Sequence, residues 1–474
     1  MQEFDSLERD LASVGRWIAE YYAHPEAYRV LPAVKPGDVV AQLPERAPDR
    51  GEPFERIFDD FKRIVVPATT HWNHPRFFAY FATSAEPSAV AAEALSATLD
   101  VKAMLWRTSP AATELEEVTM RWLSDMLGLP ADWTGIIYDT ASIAGFTALA
   151  AAREALGLDV RRYGMTGRDL PRLRIYISDQ THSHVEKAAI ALGIGQENVV
   201  HVPSDENFSM DARELERRVS ADIGAGMRPL AIVATAGTTS TTSFDPLDEI
   251  ADIAERHGIW LHVDAAYAGN AGAVPELRGL LRGAERADSF VVNPHKWLFV
   301  PMDLSVLFVK DESIVREAFS LVPEYLRTPE TDVVNYMDYG LQLGRRFRSL
   351  KLWFVLRHLG VEGIRSLLRK HVALAQELAA RIAASDDWEL LAPHPLSVVC
   401  FRYCGVPEAE RDAANERILE AVNASGAGFI SHTKLRGKYT IRVAIGNLRT
   451  RRDDVEELWE ALRKAGDDFR HFSA

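Results

Sequence analysis

Short apolar runs that alternate with helical patterns in the middle of the chain constrain its fold more than any other feature. The runs are mostly β-branched or apolar and cover positions 174–178, 230–235, 259–264, 289–293 and 305–309. Helical spacing of apolar residues lies around and between them, at 144–156, 185–192, 211–219 and 247–257. Strands that are apolar throughout are covered on both faces, as in a parallel sheet joined by crossover helices. The pattern predicts an α/β domain with a mainly parallel, doubly wound central sheet and helices on both faces.

The chain on either side of this region has a different pattern of apolar residues. Residues 4–22 place apolar and aromatic side chains at helical spacing, and helical patterning returns near 54–65. Towards the C-terminus, helical stretches at 360–384, 408–424 and 453–464 alternate with strand-like runs at 396–402 and 439–445. A chain of 474 residues is too long to fold around one compact hydrophobic core. We predict an N-terminal helical segment (1–83) that packs on a partner subunit, a large α/β domain (84–352) and a small C-terminal α+β domain (353–474).

Composition excludes several classes of function. The formal net charge of −14 does not suit a nucleic-acid partner, because phosphate contacts need a basic surface. Two cysteines, Cys400 and Cys404, leave no room for a disulfide framework. The N-terminus is acidic and amphipathic, unlike a signal peptide, and no segment has the composition of a membrane span. We expect a cytoplasmic protein with no nucleic-acid and no membrane partner.

Polar side chains follow four of the predicted strands, at the point where each strand ends. His182 follows the first, Thr239 the second, Asp264 ends the third and Lys296 follows the fourth. Ligands bind beyond the carboxyl ends of strands in open α/β sheets, so these groups should meet at one edge. A single lysine is usually a surface residue, but an amine among apolar neighbours has a lowered pKa and suits condensation with a carbonyl. The set therefore predicts a site for covalent carbonyl chemistry.

Asp264 and the start of a predicted helix narrow the choice of cofactor. Asp264 ends an apolar strand, where an unpaired carboxylate is costly, so it either caps the next segment or pairs with a buried cation. A protonated pyridine nitrogen is such a cation. Thr140-Ala141-Ser142, ahead of helical 145–153, offers hydroxyls at a helix N-terminus, where phosphate binds. These features favour pyridoxal phosphate, held by Lys296.

A metal site is the alternative interpretation of the same residues. His182, His184 and Asp264 could supply three ligands to a metal-dependent hydrolase, with Lys296 in a structural role. Two histidines two residues apart share one face of a strand but need not converge in a turn, so the spacing is a weak metal signal. We expect no metal.

Four stretches together resemble the aromatic-L-amino-acid decarboxylases, which are group II pyridoxal-phosphate-dependent decarboxylases. They are Asp179-Gln-Thr-His182, Ala236-Gly-Thr-Thr-Ser240, His262-Val-Asp-Ala-Ala-Tyr-Ala268 and Asn293-Pro-His-Lys-Trp297. The resemblance runs from His71-Trp72 through Leu343-Gly-Arg-Arg-Phe-Arg-Ser349 into the C-terminal part, so it covers nearly the whole chain. It implies fold type I, which is aspartate-aminotransferase-like, and pyridoxal 5′-phosphate as cofactor. It also implies a small amino-acid substrate and a homodimer with the site at the subunit interface.

The resemblance assigns roles to individual residues. Lys296 looks like the lysine that holds the cofactor as a Schiff base, Asp264 like the partner of the pyridine nitrogen, and His182 like the imidazole stacked on the ring. Positions that match other cofactor contacts are Thr140, Ala141, Ser142 and Asn293 for the phosphate, Thr239 near the phenolic oxygen, Ala266 on the ring face and His295 beside the lysine. Tyr325, in a polar segment at 321–332, matches the tyrosine of a closing loop that protonates the substrate carbon after CO2 leaves.

An aromatic L-amino acid is the expected substrate. The residues matched to the substrate pocket are Trp72, Tyr80, Phe81, Thr83, Lys102, Met104 and Gly344, whereas Phe77 and Phe78 fit a pocket lining or the core equally well. Gly344 matches a position where glycine accompanies indole substrates in related plant enzymes and serine accompanies phenolic ones. We expect tryptophan first, then tyrosine, phenylalanine or dihydroxyphenylalanine. An aromatic acetaldehyde synthase of the same family is the alternative, although such relatives typically replace the tyrosine or the histidine that this chain keeps.

Overall fold

The computed structural model describes residues 6–330 and 332–473 of the chain. Within them, seven strands form one sheet with the order β1-β7-β6-β5-β4-β2-β3. The strands are β1 (Thr134–Tyr138), β2 (Leu173–Ser178), β3 (Val199–Val202), β4 (Arg228–Thr235), β5 (Trp260–Asp264), β6 (Ser289–Val292) and β7 (Ser305–Val309). Strands β3, β2, β4, β5 and β6 pair in parallel, and β7 pairs antiparallel with both β6 and β1. The predicted mainly parallel sheet is confirmed.

All five predicted strands are present, and their burial explains their composition. Every residue of β5, β6 and β7 is buried, as expected for strands without a solvent-facing side. The sequence does not reveal β1 and β3. Strand β1 contains Gly135, where an added Cβ would lie 2.7 Å from the Phe308 ring and 2.9 Å from Met120, so a close approach replaces the β-branched signal. Strand β3 has only four residues.

Helices occupy the predicted segments, mostly with longer bounds. They are α1 (Leu7–Ala23), α2 (Phe54–Asp60), α3 (Pro87–Leu99), α4 (Pro110–Leu127), α5 (Ala141–Ala155), α6 (Val160–Tyr163), α7 (His184–Ala191), α8 (Ala212–Gly224), α9 (Leu247–His257), α10 (Pro294–Trp297), α11 (Glu312–Phe319), α12 (Ser349–Ala383), α13 (Glu408–Ser425) and α14 (Arg452–Ser473). Helix α12 is interrupted at Gly360, whose φ is 63°. Phe4 and Asp5, at the start of the predicted N-terminal helix, lie outside the described residues.

Four further strands form a second, smaller sheet with the order β10-β11-β9-β8. They are β8 (Trp388–Leu390), β9 (Val398–Tyr403), β10 (Ser431–Leu435) and β11 (Lys438–Ala444), of which β10 and β11 pair antiparallel. By contacts the chain divides into two compact units. The first contains residues 1–84, 384–389 and 402–474, and the second contains 85–383 and 390–401. The predicted three-part division at residues 83 and 352 stays a prediction.

The core of the second unit positions the strand ends. Helix α5 is rich in alanine, and Ala144, Ala148 and Ala151 lie against strand residues such as Ile175 and Val233. Small side chains let the helix approach the sheet closely. Strands β1 and β6 are both antiparallel to β7 and so run in the same direction, which places the turn between β1 and α5 at the carboxyl edge of the parallel strands, where the predicted site lies.

Candidate active site

The carboxyl ends of β4, β5 and β6 lie side by side. Thr235 is in register with Asp264, and Asp264 with Val291. Beyond the strands, the backbone N–H of Ala236 donates to the Asp264 carbonyl at 2.9 Å, and that of Asn293 donates to the Ala266 carbonyl at 3.0 Å. The edge predicted from the sequence is therefore formed within the second unit.

His182 and Asp264 are brought together by a third side chain, His184. Nδ1 of His182 lies 3.2 Å from Nδ1 of His184, and the latter lies 3.8 Å from Oδ2 of Asp264. His184 opens α7, directly after the turn that carries His182. His184 is 3% exposed and Asp264 is 5% exposed, whereas His182 is exposed. The sequence offers His184 only as a metal ligand, and its contact with His182 depends on the turn.

The charges of this cluster are set by burial and by Lys296. Burial lowers the pKa of His182 and of His184, and the ammonium of Lys296 lowers both further, while Asp264 opposes the shift. Burial alone would raise the pKa of Asp264, but His184 and Lys296 outweigh it, so the pKa lies below its ordinary value. Near pH 7 the cluster therefore contains one carboxylate and two neutral imidazoles.

Lys296 belongs to the short helix α10 and is half-buried, next in sequence to a tightly packed aromatic residue. The next residue, Trp297, is fully buried, and its ring stacks on Tyr267 with centroids 4.8 Å apart. Its indole N–H donates to Nδ1 of His371 at 3.0 Å. Ala266 is 9% exposed, and its backbone N–H donates to Oδ1 of Asp264 at 3.1 Å. The Lys296 ammonium acts on Asp264 electrostatically, since it lowers the pKa of that carboxyl.

The predicted anion site lies at the start of α5. Thr140 precedes the helix in extended conformation, Ala141 is its first residue, and Ser142 is exposed. Asp139, which the sequence does not single out, accepts hydrogen bonds from the N–H of Thr140 at 2.5 Å and from its hydroxyl at 3.1 Å. Asn293 is 3% exposed, and its Oδ1 accepts a hydrogen bond from the Ser305 hydroxyl.

His295 and Thr239 lie at the same edge with different surroundings. Nδ1 of His295 accepts the backbone N–H of Leu304 at 3.0 Å. Burial lowers the pKa of His295 to about 3, and Lys296 contributes to the shift, so His295 is neutral with its proton on Nε2. Thr239 is exposed in the turn after β4, next to Thr238, which is buried and hydrogen-bonded to Thr241 at 2.8 Å.

Four of the residues assigned to the substrate pocket lie in the first unit. Trp72 and Tyr80 stack with ring centroids 5.9 Å apart, the Arg442 guanidinium lies 4.8 Å from the centroid of the Phe81 ring, and Thr83 is half-buried. Phe77 and Phe78 are fully buried, so they are core residues. Whether the first four contact a substrate stays a prediction.

The other three substrate residues lie in the second unit. Lys102 is exposed and forms an ion pair of 2.5 Å with Asp100. Met104 packs beside a small apolar cluster that includes Leu326 and Met337. Gly344 has open space around it, since an added Cβ would meet nothing within 4 Å.

Tyr325 is placed only in part. Its backbone belongs to a short 3₁₀ turn, Glu324–Leu326, and its side chain lies outside the described part of the structure. Thr331, in the same predicted loop, also lies outside it.

Residues 6–330 and 332–473 show neither a metal-binding cluster nor a membrane-spanning helix. That part of the chain contains no cluster of three or more histidine, cysteine, aspartate or glutamate side chains arranged to hold a metal ion. The distance of 3.2 Å between the two Nδ1 atoms of His182 and His184 is a hydrogen-bond distance. No helix of the described ranges is long and apolar enough to span a bilayer.

Known proteins resemble this chain over most of its length. Residues 36–404 match the pyridoxal-dependent decarboxylase conserved domain. Tyrosine decarboxylase 2 of Arabidopsis thaliana is 41% identical over 96% of this chain and 85% of its own length. Phenylacetaldehyde synthase of Arabidopsis thaliana is 40% identical over 96% of this chain and 94% of its own. The crystal structure of Oryza sativa TDC with PLP and tryptamine has a TM-score of 0.95 and 34% identity, with 99% of both chains covered.

Proposed function

This chain belongs to the pyridoxal-dependent decarboxylases, in the group of the aromatic-L-amino-acid decarboxylases, and from that premise we propose that it decarboxylates tryptophan in preference to other aromatic amino acids. The fold is fold type I, the cofactor is pyridoxal 5′-phosphate, and the reaction class is that of a carboxy-lyase. The cluster of buried Asp264 and His184 with exposed His182, which Lys296 influences electrostatically, is the observation that carries the catalytic part of the proposal.

The residues present fit the cofactor. Asp264 is a buried carboxylate with a lowered pKa, which suits a protonated pyridine nitrogen. Ala266 offers a small side chain next to it, against which a flat ring can lie. The start of α5 offers backbone N–H groups and the Ser142 hydroxyl to an anion. Asp139 is the one member of this set that repels an anion, and its bonds to Thr140 hold its carboxylate on that residue.

The bound cofactor supplies an electron sink for the pair released when the Cα–carboxylate bond breaks. Asp264 would hold the proton at the ring nitrogen, and the Lys296 amine would hold the cofactor covalently. His182 and Ala266 would contact the ring. Thr140, Ala141, Ser142 and Asn293 would bind the phosphate, Thr239 would contact the phenolic oxygen, and His295 would donate from Nε2 beside the lysine.

Tyr325 delivers the proton to Cα after CO2 departs. The support for this role is its match to the family tyrosine, together with the presence of a histidine at 182. A proton at Cα gives the amine, whereas reaction with oxygen at the same stage gives an aldehyde. One relative at 40% identity is a phenylacetaldehyde synthase, so the aldehyde-forming reaction is the competing outcome that an assay must separate.

Gly344 supports tryptophan as the preferred substrate, because it matches the position where glycine accompanies indole substrates in related plant enzymes. An indole needs more room than a phenol, and the backbone at Gly344 is not in a conformation that requires glycine. The Oryza sativa TDC structure holds tryptamine, which is the amine that tryptophan yields on losing CO2. Tyrosine, phenylalanine and dihydroxyphenylalanine are the next candidates. Trp72, Tyr80, Phe81, Thr83, Lys102 and Met104 are the other residues that we propose for substrate binding.

A homodimer and a cytoplasmic location belong to the same proposal. Helix α1 exposes apolar side chains, with Leu7 50% and Leu11 59% exposed, and a partner subunit would cover them. No disulfide joins Cys400 or Cys404 within residues 6–330 and 332–473, which suits a reducing compartment. Light scattering of the purified protein should give the mass of two chains.

A product assay across the twenty amino acids tests reaction and substrate together. The purified holoenzyme should release CO2 and the amine in equal amounts, with the highest kcat/KM for tryptophan. Lys296→Ala should abolish both products and serves as the background control. Formation of an aldehyde together with ammonia and hydrogen peroxide would instead show that the protein is an aldehyde synthase. A higher kcat/KM for another aromatic amino acid would overturn the tryptophan preference alone.

A further inference from the structure

His184 contacts two cofactor residues, and the roles assigned above do not use it. Its ring is 3% exposed, with Nδ1 lying 3.2 Å from Nδ1 of His182 and 3.8 Å from Oδ2 of Asp264. The second distance is too long for a hydrogen bond, so the polar contact of this ring is with His182.

The hydrogen bonds around His182 decide which ring holds the proton between them. The backbone N–H of His184 also points at Nδ1 of His182, at 3.2 Å. A backbone N–H can only donate, so Nδ1 of His182 is an acceptor and carries no proton. The proton between the two rings then sits on Nδ1 of His184. The neutral His182 ring keeps its own proton on Nε2.

The surroundings of Nε2, on the opposite edge of the His184 ring, are consistent with a proton on Nδ1. Its Nε2 is buried and has no hydrogen-bond partner within residues 6–330 and 332–473. It lies against helix α5, where a Cβ added at Gly145 would come within 2.6 Å. A ring protonated on Nδ1 has no hydrogen at Nε2, so this contact buries no unpaired donor. The charged groups that act on His182 are Asp264, Lys296 and Lys187.

We propose that His184 is a positioning residue for catalysis: its Nδ1–H bond holds His182 as the Nε2–H tautomer and fixes the orientation of that ring. The inference rests on the proposed function only in taking His182 as the imidazole that faces the cofactor. The first residue of α7 then supplies both hydrogen-bond donors to His182, one from its backbone and one from its side chain.

Three substitutions separate this role from simple packing. Asparagine places its amide nitrogen near the position of Nδ1, so His184→Asn keeps a donor to His182. Glutamine reaches the position of Nε2, so His184→Gln puts its amide against Gly145 and loses that donor. His184→Leu fills the buried space with no donor. If His184 only packs, the leucine variant should retain the most activity. If His184 positions His182, only the asparagine variant should retain activity.

Steady-state kinetics of the holoenzymes give the first measurement. We expect His184→Asn to keep kcat within about threefold of wild type, and His184→Gln and His184→Leu to lower kcat by about 10- to 100-fold, the usual effect of losing a partner that orients a ligand residue. KM should stay within about threefold in all three, because His184 does not touch the substrate. Equal kcat for the leucine and asparagine variants would overturn the proposal.

Labelling with diethyl pyrocarbonate tests the same bond without any reaction of a substrate. The reagent attacks an unprotonated ring nitrogen, and mass spectrometry of the peptide that carries His182 reports the rate. With Nδ1 engaged by two donors, exposed His182 should react slowly relative to His358, which is 62% exposed. The leucine variant should label His182 at least about fivefold faster, and the asparagine variant should match wild type. Equal rates in all variants would refute the bond.

The two measurements also separate the inference from the proposed function. A wild-type protein that releases no CO2 from any aromatic amino acid would refute the function, and the labelling pattern would still decide the role of His184. His262 and His371, both buried, serve as folding controls in the same spectra, since they stay unlabelled in a folded variant.

Discussion

Replacing His262 by asparagine should remove part of the acid sensitivity of the folded chain. His262 lies in β5, is 1% exposed, and its Nδ1 lies 2.8 Å from the Ser289 hydroxyl. Burial lowers its pKa from 6.5 to about 4, with Asp264 opposing the shift and His184 adding to it. The folded chain therefore keeps this imidazole neutral at pH values where an unfolded chain would protonate it.

The direction of the effect follows from proton uptake. As the pH falls below 6.5, the unfolded state binds a proton at residue 262, and the folded state binds it only near pH 4. The unfolded state thus gains free energy that the folded state does not, so stability present above pH 6.5 is lost as the pH falls. One pKa unit corresponds to about 1.4 kcal/mol, so His262 accounts for a loss of about 3 kcal/mol across the window and about 2 kcal/mol by pH 5.

Urea unfolding of wild type and His262→Asn at pH 7, 6 and 5 measures this loss. The indole N–H of Trp260 donates to the Ser289 hydroxyl at 2.9 Å, which leaves the hydroxyl proton for residue 262. Asparagine keeps an acceptor there and has no proton to bind. Wild type should lose about 2 kcal/mol more unfolding free energy than the variant between pH 7 and pH 5. Parallel curves would refute the reasoning, and exposed His358→Asn, the matched control, should follow wild type.

Three further substitutions test the site and its support. Gly344→Ser should fold normally, since an added Cβ meets nothing within 4 Å, and should lower kcat/KM for tryptophan relative to tyrosine by about tenfold; an unchanged ratio would contradict the proposed pocket. Glu116→Ala should cost about 3–5 kcal/mol in urea unfolding, because it strands the buried Arg345 guanidinium that now pairs with Glu116 at 2.7 and 3.1 Å; a cost below about 1 kcal/mol would argue against that pair. Asp264→Asn should weaken pyridoxal phosphate binding by about 10- to 100-fold in a fluorescence titration while leaving the thermal midpoint of the cofactor-free protein at or above that of wild type; a lower midpoint with unchanged binding would make Asp264 a purely structural cap.

The sheet and its reactive edge could be predicted because each rests on a local signal. Strands β5 and β6 are buried along their length and β4 is buried from its second residue onward, so their sequences are mostly apolar, and a polar residue ends or follows each run. Strand β1 could not be found in this way. Its glycine is required by the Phe308 ring and Met120, which are distant in sequence, so only the packed structure explains it.

The side-chain partners within the site could not be predicted from the same signals. Whether His182 and His184 meet depends on the backbone of Ser183, which has φ −59° and ψ −9° and so turns both rings to one side. Spacing in the sequence does not fix that turn, and an extended backbone would suit a metal as well. The Asp139 bonds to Thr140 are hidden for the same reason, because a carboxylate before a helix is an ordinary cap by composition.

The two sequence-based explanations of Asp264, a cap and a partner for a buried cation, turn out to use different oxygens. Oδ1 accepts the backbone N–H of Ala266, as a capping carboxylate does, whereas Oδ2 is directed towards His184. Burial lowers the pKa of His184, so this ring is neutral near pH 7, and the cation that then acts on Asp264 is the Lys296 ammonium. A cap alone would be served equally well by asparagine, without the cost of a buried charge. The proposed function gives this charge a partner, the protonated pyridine nitrogen of a cofactor that Lys296 would hold.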